Sequence, residues 1–527
     1  MLPLLSLCSA ACLAGAAALV ARLGRAERFV VAGFSVLFAA SAVLSPNSYV
    51  NDHLWHFLNA RLVLRDPTYL LSTWDRPAFM LLYAAPAQLG IEAARLMSLG
   101  PAAIAIAGTM LAARDLELPR PWLAGILVGA QLDFFGQASS TMTELLFAAA
   151  FAPAIWGYVS WRPWIAAAGL GALSVSRPEG PLFAALGAAG LWIRYRRVGP
   201  CIASVAPFVA FLVVGAVTLR DPQWYLHENA YRSASDGARL RLEWKQLWTS
   251  FFYTAWRDSQ PAVMVLLEAL GAVLVMGRRW RRFLFLLAPL AASWFLLTFL
   301  RIGEADWWRQ SRYLVAMAPA LALLAAVAVA WATEALPATA PPVILIGAAA
   351  SAAATVLERR RPAIAWGAAG AVVVFGVLVA LGFLLWTSRR RVPFEISLTA
   401  LLVVPLVASP PGAFGRHMPT AAERLDLAAV RWLVTREPQP VAVGWDTPAL
   451  QSACLAEVDR PCPLALRVIS PSDARPGAMY VRQFTEREPD APPPGWRIAW
   501  SAEDGSIRGP RLRPRWVPVH AVIWEKQ

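Results

Sequence analysis

Asp52 stands in SPNSYVNDHLWHF, immediately after an apolar run, at the depth where lipid headgroups meet water. A carboxylate there can take a proton from an acceptor hydroxyl, or it can cap the helix that runs on through HLWHFLNARLVL. One residue can do both. His53 and His56 add imidazoles at helical spacing, so Asp52, His53 and His56 form a weak candidate for a divalent metal site. No third or fourth ligand follows at a fixed spacing, and two histidines beside a carboxylate at an interface are more simply solvated polar residues. Leu54, Leu58 and Leu62 form one stripe, which suits a helix lying on the membrane surface. The sequence WDRP at 74–77 closes the same loop. Asp75 reads either as a second carboxylate of the site or as half of a local ion pair with Arg76.

Glu144, Arg177 and Glu179 lie beside or inside apolar segments, where ionisable groups are costly and face a polar cavity or one another. SRPEG at 176–180 also holds Pro178, so a continuous helix is not expected there. An interhelical ion pair of Glu144 with Arg177 accounts for two of the three charges; Glu179 and the helix break favour a site. Arg309 and Arg312, with Tyr313, open the run SRYLVAMAPALALLAA, and guanidinium groups suit bidentate recognition of phosphate. The plainer alternative is headgroup snorkelling, and Glu304 and Asp306 in the same link weaken a purely basic patch.

The elements that must position these residues are membrane spans. Of 527 residues 58% are hydrophobic, and the mean hydropathy is +0.49, more apolar surface than one globular core can bury. The net charge of +14 is not gathered on one basic face. It sits at the ends of apolar runs, as Arg22/Arg25/Arg28, Arg194/Arg196/Arg197, Arg278/Arg279/Arg281/Arg282 and Arg389/Arg390/Arg391. That is the positive-inside pattern of cytoplasmic loops, and it excludes a nucleic-acid partner. Five cysteines make no disulfide scaffold; only Cys454 and Cys462 share a polar region where a bridge is plausible.

Apolar runs give about fourteen spans across residues 1–409, with the N-terminus outside. The piece at 78–90 is half the length needed to cross, and reading it as re-entrant keeps Arg114, Arg120 and Arg162 inside. Runs at 95–112, 122–138, 142–159, 164–176 and 181–193 read as spans. The outer segments are then a first loop at 46–77, a loop at 220–258 and the link 301–312, and Glu144 and SRPEG fall near the same outer face as Asp52. Residues 410–527 lose the long apolar runs. An amphipathic helix at 420–435 and the stretches PVAVGW, LALRVI, AMYVRQF, WRIAW and HAVIW read as a small extracytoplasmic α/β domain.

The order of these parts resembles the GT-C class of polyprenyl-phosphate-sugar-dependent glycosyltransferases, which includes protein O-mannosyltransferases and aminoarabinose transferases. The resemblance covers roughly residues 29–333. It rests on Asp52 opening the first outer loop, WDRPAF at its exit, IEAARLMSLGPAAIAIAGTMLAARDLEL, GQASSTMTELLFAAAF, LGALSVSRPEGPLF and SRYLVAMAPALALLAA. The more usual first-loop pattern has a second acidic residue where this chain has His53. The resemblance implies a multi-pass bacterial plasma-membrane enzyme that transfers a single sugar, with inversion, from a polyprenyl-phosphate donor to an acceptor glycan, lipid or protein at the outer face. Asp52 would be the base, with Asp75, Glu144 and Glu179 as further catalytic carboxylates. Arg177, Arg309 and Arg312 would hold the donor phosphate. No cofactor is expected beyond the weak metal candidate. A transporter or flippase for an anionic lipid-linked substrate, or a non-catalytic subunit of the same fold, is the rival reading, although SRPEG has no interrupted counterpart in the second half.

Overall fold

The computed structural model describes residues 1–44, 51–228, 238–240, 262–278, 285, 287–293, 300–302, 311–335, 421–435, 440–443, 465–468, 476–485, 491–508 and 515–527. Two compact units divide the chain. The first is helical: α1 (Leu2–Ala21), α2 (Arg25–Leu44), α3 (Asn51–Leu62), α4 (Pro77–Ala87), α5 (Ile91–Met97) and α6 (Leu99–Asp115) are followed by α7 (Trp122–Gly129) and α8 (Leu132–Ala138). Then come α9 (Thr143–Val159), α10 (Pro163–Ser174), α11 (Gly180–Tyr195), α12 (Val198–Leu219), α13 (Trp224–His227), α14 (Ala262–Arg278) and α15 (Ala318–Ala335). A short antiparallel pair joins β1 (Ala238–Leu240) to β2 (Leu300–Ile302).

Among the described residues five helical stretches are long and apolar enough to cross a membrane: Leu2–Ala21, Arg25–Val43, Ile91–Asp115, Val198–Leu219 and Tyr313–Glu334. The apolar piece after the first loop forms α4, whose 11 residues rise only about 17 Å, short of a bilayer core. Proline opens α4 and α10 at the first turn, where its missing N–H costs nothing. Residues 336–409 and most of 279–299, which are to hold several of the expected fourteen spans, lie outside the described residues, as do Cys454 and Cys462.

One expected span is not continuous. Residues 122–138 divide into α7 and α8 because Gln131 takes an extended backbone, ψ 127°, and its Nε2 donates to the Ala318 carbonyl 3.2 Å away. A broken helix at this depth is tolerated where side chains satisfy the freed backbone. Here Gln131, Asp133, Gln137, Ser139, Ser140 and Thr141 are all buried.

Small residues set the spacing between α9 and α10. A Cβ at Gly169 would meet Ala150 O and Ala154 N at 2.7 Å, and one at Gly157 would collide with the backbone of Ala166. The two helices therefore approach backbone to backbone, the packing that small residues permit in membranes. Around them Phe147, Phe151, Trp156, Leu170, Leu173 and Phe183 build the core of the unit.

The second unit holds residues 417–527 and the first part of α3. Its helix α16 (Ala421–Val434) accompanies a five-stranded sheet in the order β4-β3-β5-β7-β6. These strands are β3 (Pro440–Val443), β4 (Ala465–Val468), β5 (Met479–Thr485), β6 (Trp496–Arg508) and β7 (Arg515–Lys526). β3 runs parallel to β4 and β5; β7 is antiparallel to β5 and β6, with a register shift between Ile498 and Trp500. Leu425 of α16 packs with Ala521, Trp500 and Ala502.

Candidate active site

The segment between α3 and α4 ends in a tight turn that sends its two charges in opposite directions. The Asp75 carboxylate accepts from Ser72 Oγ at 2.7 Å and from Asn59 Nδ2 of α3 at 2.8 Å. It is fully buried, and its partners tie the second half of α3 to the start of α4. Arg76 takes a positive φ of 69°, a strained conformation for a residue with a side chain, and its guanidinium leaves Asp75. Its Nη1 donates to Tyr225 Oη at 2.8 Å while the guanidinium carbon lies 5.5 Å from the Tyr225 ring centroid. The local Asp75–Arg76 ion pair open in the sequence is therefore not formed. The same turn is fastened a second time to the 224–228 segment, where Thr73 Oγ1 donates to the Glu228 carbonyl at 2.7 Å.

Arg76 is 1% exposed, has no carboxylate partner among the described residues, and its Nε is buried without a hydrogen-bond acceptor. A buried cation in this state costs several kcal/mol unless an anion meets it. In the sequence Arg76 stands out only as one half of the local pair left open with Asp75. Asn59 and Tyr225 were missed because nothing in their spacing marks them.

A backbone bond joins this turn to the second half of the site. Ala78 N donates to the Val175 carbonyl at 3.3 Å, which sets the start of α4 against the break between α10 and α11. There Arg177 lies between two carboxylates: Nη1 is 2.8 Å from Glu144 Oε1, and Nε is 2.5 Å from Glu179 Oε1. Nη1 also reaches Thr143 Oγ1 at 3.2 Å, and the guanidinium carbon sits 5.1 Å from the ring centroid of Tyr313. Arg177 and Glu144 are buried, with side chains 5% and 2% exposed; Glu179 is more open, at 21%. Three elements supply these groups for local reasons. Glu144 falls in the first turn of α9, where the helix dipole favours an anion. Pro178 ends the helical path after α10, and Tyr313 is carried by the 3-10 turn Ser311–Met317.

The cluster therefore carries two carboxylates and one guanidinium, a net charge of −1 if all three are ionised. Glu179 Oε2 is buried with no hydrogen-bond partner among the described residues. Such oxygens accept hydrogen bonds from hydroxyl groups, as a sugar would offer. Arg177 Nη2 donates to no described residue.

The structure thus brings Asp75, Glu144, Arg177 and Glu179 to one region of the first unit. Asp52 lies in the first turn of α3, two turns ahead of Asn59 along one continuous helix. Arg312 lies in the 3-10 turn beside Tyr313, and Arg309 falls outside the described residues. His53 and His56 are 0% and 4% exposed, so they are not the solvated interfacial residues expected; their helix buries this face together with Phe57, Leu58 and Ala60. Among the described residues no group of three metal-ligating side chains converges.

No family model matches the chain, and no curated protein matches it in sequence. Two solved structures are similar to it: ArnT from Cupriavidus metallidurans bound to undecaprenyl phosphate, and the same protein in the apo state. The first has a TM-score of 0.54 at 16% identity, covering 86% of this chain and 92% of that one. The second has a TM-score of 0.53 at 16% identity, covering 85% and 93%. The fold is GT-C-like.

Proposed function

We propose that the chain is a membrane glycosyltransferase that moves one sugar from a polyprenyl-phosphate donor to an acceptor hydroxyl, with inversion, at the outer face of a bacterial plasma membrane. Asp52 takes the proton from the acceptor hydroxyl as its oxygen attacks the anomeric carbon. The bond from that carbon to the phosphate oxygen breaks, and polyprenyl phosphate leaves with the added negative charge. Groups that meet this charge in the transition state supply the largest single acceleration.

The observation that carries the reading is Arg76, a buried guanidinium with no carboxylate among the described residues, fixed next to a carboxylate cluster by the Ala78–Val175 bond. An anionic donor supplies the missing counter-charge. Arg177 has given two donor groups to Glu144 and Glu179, so it offers a phosphate only its Nη2 edge. Arg309 and Arg312 are the remaining donor-phosphate candidates. Glu144 and Glu179 offer carboxylate oxygens to sugar hydroxyls, and Asp75 holds α3 and α4 in register. That ArnT was solved with undecaprenyl phosphate makes a polyprenyl phosphate the first donor class to test.

The test is sugar release from a panel of polyprenyl-phosphate sugars by the purified protein in lipid, comparing wild type with Asp52→Asn and Arg76→Met. Turnover with one donor, lower by about 10²–10⁴ in Asp52→Asn, is the expected result. Turnover that survives Asp52→Asn removes the base assignment and keeps the class. Absence of turnover with every donor, with a crude membrane extract as acceptor and a folded protein, moves the reading to a transporter or a non-catalytic subunit.

A further inference from the structure

The helical hairpin α10–α11 has two ends, and the transfer chemistry uses only one. SRPEG closes the hairpin beside Arg177. About 24 Å away along the 16 residues of α11, the other end brings Arg162 and its neighbours against the α11–α12 turn. The contact is tight. The rings of Trp161 and Tyr195 meet edge to face at 5.5 Å, and Tyr195 Oη donates to the Tyr158 carbonyl at 2.7 Å. A Cβ on Gly199 would touch the ring of Trp164 at 3.0 Å. Between these rings the Arg194 guanidinium lies 4.1 Å from the Trp161 centroid and 4.5 Å from that of Tyr158.

Two properties of this surface point to its partner. Trp161 and Trp164 are 65% and 60% exposed, and Trp192 beside them is exposed as well. Indole rings left in this state belong at the boundary between bilayer and water. The charge is also of one sign. Arg162, Arg196 and Arg197 are exposed, none of them forms an ion pair among the described residues, and no Asp or Glu occurs in 145–176 or in 180–220. A guanidinium laid on aromatic faces keeps its N–H edge free for the oxygens of a phosphate.

We propose that Trp161, Arg162, Trp164, Arg194, Arg196 and Arg197 form a binding site for the headgroup of an anionic phospholipid, in the leaflet opposite the candidate active site. The indoles enter the acyl boundary, and the arginines meet the phosphate. Because it lies at the far end of α11 from Arg177, the site is separate from the one that would hold a donor lipid phosphate.

Native mass spectrometry of the full-length protein tests this. Wild type is offered phosphatidylglycerol or phosphatidylcholine with identical acyl chains, beside Arg196→Gln/Arg197→Gln, Arg25→Gln/Arg28→Gln and Arg76→Met. The expected result is preferential retention of phosphatidylglycerol, weakened roughly thirtyfold by Arg196→Gln/Arg197→Gln and little changed by the other two. Equal retention of the two lipids overturns the proposal. Equal loss in Arg25→Gln/Arg28→Gln does so too, since any inner-face arginine would then serve. Loss confined to Arg76→Met assigns the lipid to the active-site region instead. Should Arg196→Gln/Arg197→Gln misfold, quenching of tryptophan fluorescence by brominated phosphatidylglycerol over brominated phosphatidylcholine, in wild type and Trp161→Phe/Trp164→Phe, reads the same preference.

Discussion

Charge arithmetic in the Arg177 cluster sets an order of stabilities that ordinary residue size would not give. Replacing Glu144 by Gln leaves Arg177 paired one to one with Glu179, so the loss is one charge-assisted hydrogen bond, about 1.5–3 kcal/mol. Replacing Arg177 by Met leaves two carboxylates, one almost wholly buried, around an apolar side chain. Removing one partner of a buried pair costs about 3–5 kcal/mol, and here two carboxylates lose the same guanidinium at once. Glu179→Gln acts at the more exposed position and costs least. Arg177→Met should therefore be less stable than Glu144→Gln by about 1.5–2 kcal/mol, the difference between those two ranges. Reversible unfolding in mixed micelles, followed by tryptophan fluorescence, measures both. The double variant Glu144→Gln/Arg177→Met supplies the sharper test, because it should be more stable than Arg177→Met alone: the second change removes one of the two carboxylates left facing each other without the guanidinium. If Glu144→Gln costs as much as Arg177→Met, or the double variant is simply additive, the three groups do not act as one charge cluster.

Tyr225→Phe keeps the ring under Arg76 and removes only its hydroxyl, so folding should weaken by about 1.5–3 kcal/mol, seen as earlier proteolysis in the turn before α4. Gly169→Ala should cost about 1–3 kcal/mol or more in micelle unfolding because backbone atoms of α9 cannot retreat, whereas Gly15→Ala, with open space around it, should be neutral or slightly stabilising. The Asp221 carboxyl is held below the usual carboxylate range, chiefly by its side-chain hydrogen bond with His227 and then by the Gln223 N–H. Its contribution is present above the ordinary carboxylate value of about 3.9 and is lost as pH falls through the depressed one. A spin label at position 226 should accordingly report a looser turn only on strong acidification, and at all pH values in Asp221→Asn.

Hydrophobic runs and prolines carried much of the architecture in readable form. Pro77 and Pro163 mark helix starts, Pro178 marks the break at the site, and PVAV, ALRV and the longer β5–β7 stretches alternate as strands do. Glu144 and Arg177 were legible because charge inside apolar sequence demands a partner, and they are each other's. The break at Gln131 was not. No proline marks it, and the partner that Gln131 Nε2 takes at the break is a carbonyl at Ala318, far along the chain. Adjacency in sequence leaves an Asp75–Arg76 pair open, and a strained backbone closes that alternative by turning the two side chains apart, one to Tyr225 and the other to Ser72 and Asn59. Side-chain direction at a turn depends on φ, and φ at a non-glycine residue is not written in residue type.

The contact between α9 and α10 limits how the protein can move. At Gly157 and Gly169 no side chains interdigitate, so there are no rotamers whose change would let the helices slide. The pair behaves as a single stiff beam. One end of that beam bears Glu144 at the start of α9 and the SRPEG turn after α10; the other bears Trp161 and Arg162. Sideways separation of the two helices is thus the costliest way to make room for a bulky acceptor. Motion is cheaper where single hydrogen bonds do the holding, as in the strap of Thr73 and Arg76 on the 224–228 segment. A tilt of the beam itself would shift both ends together, Arg162 at one and the carboxylates around Arg177 at the other.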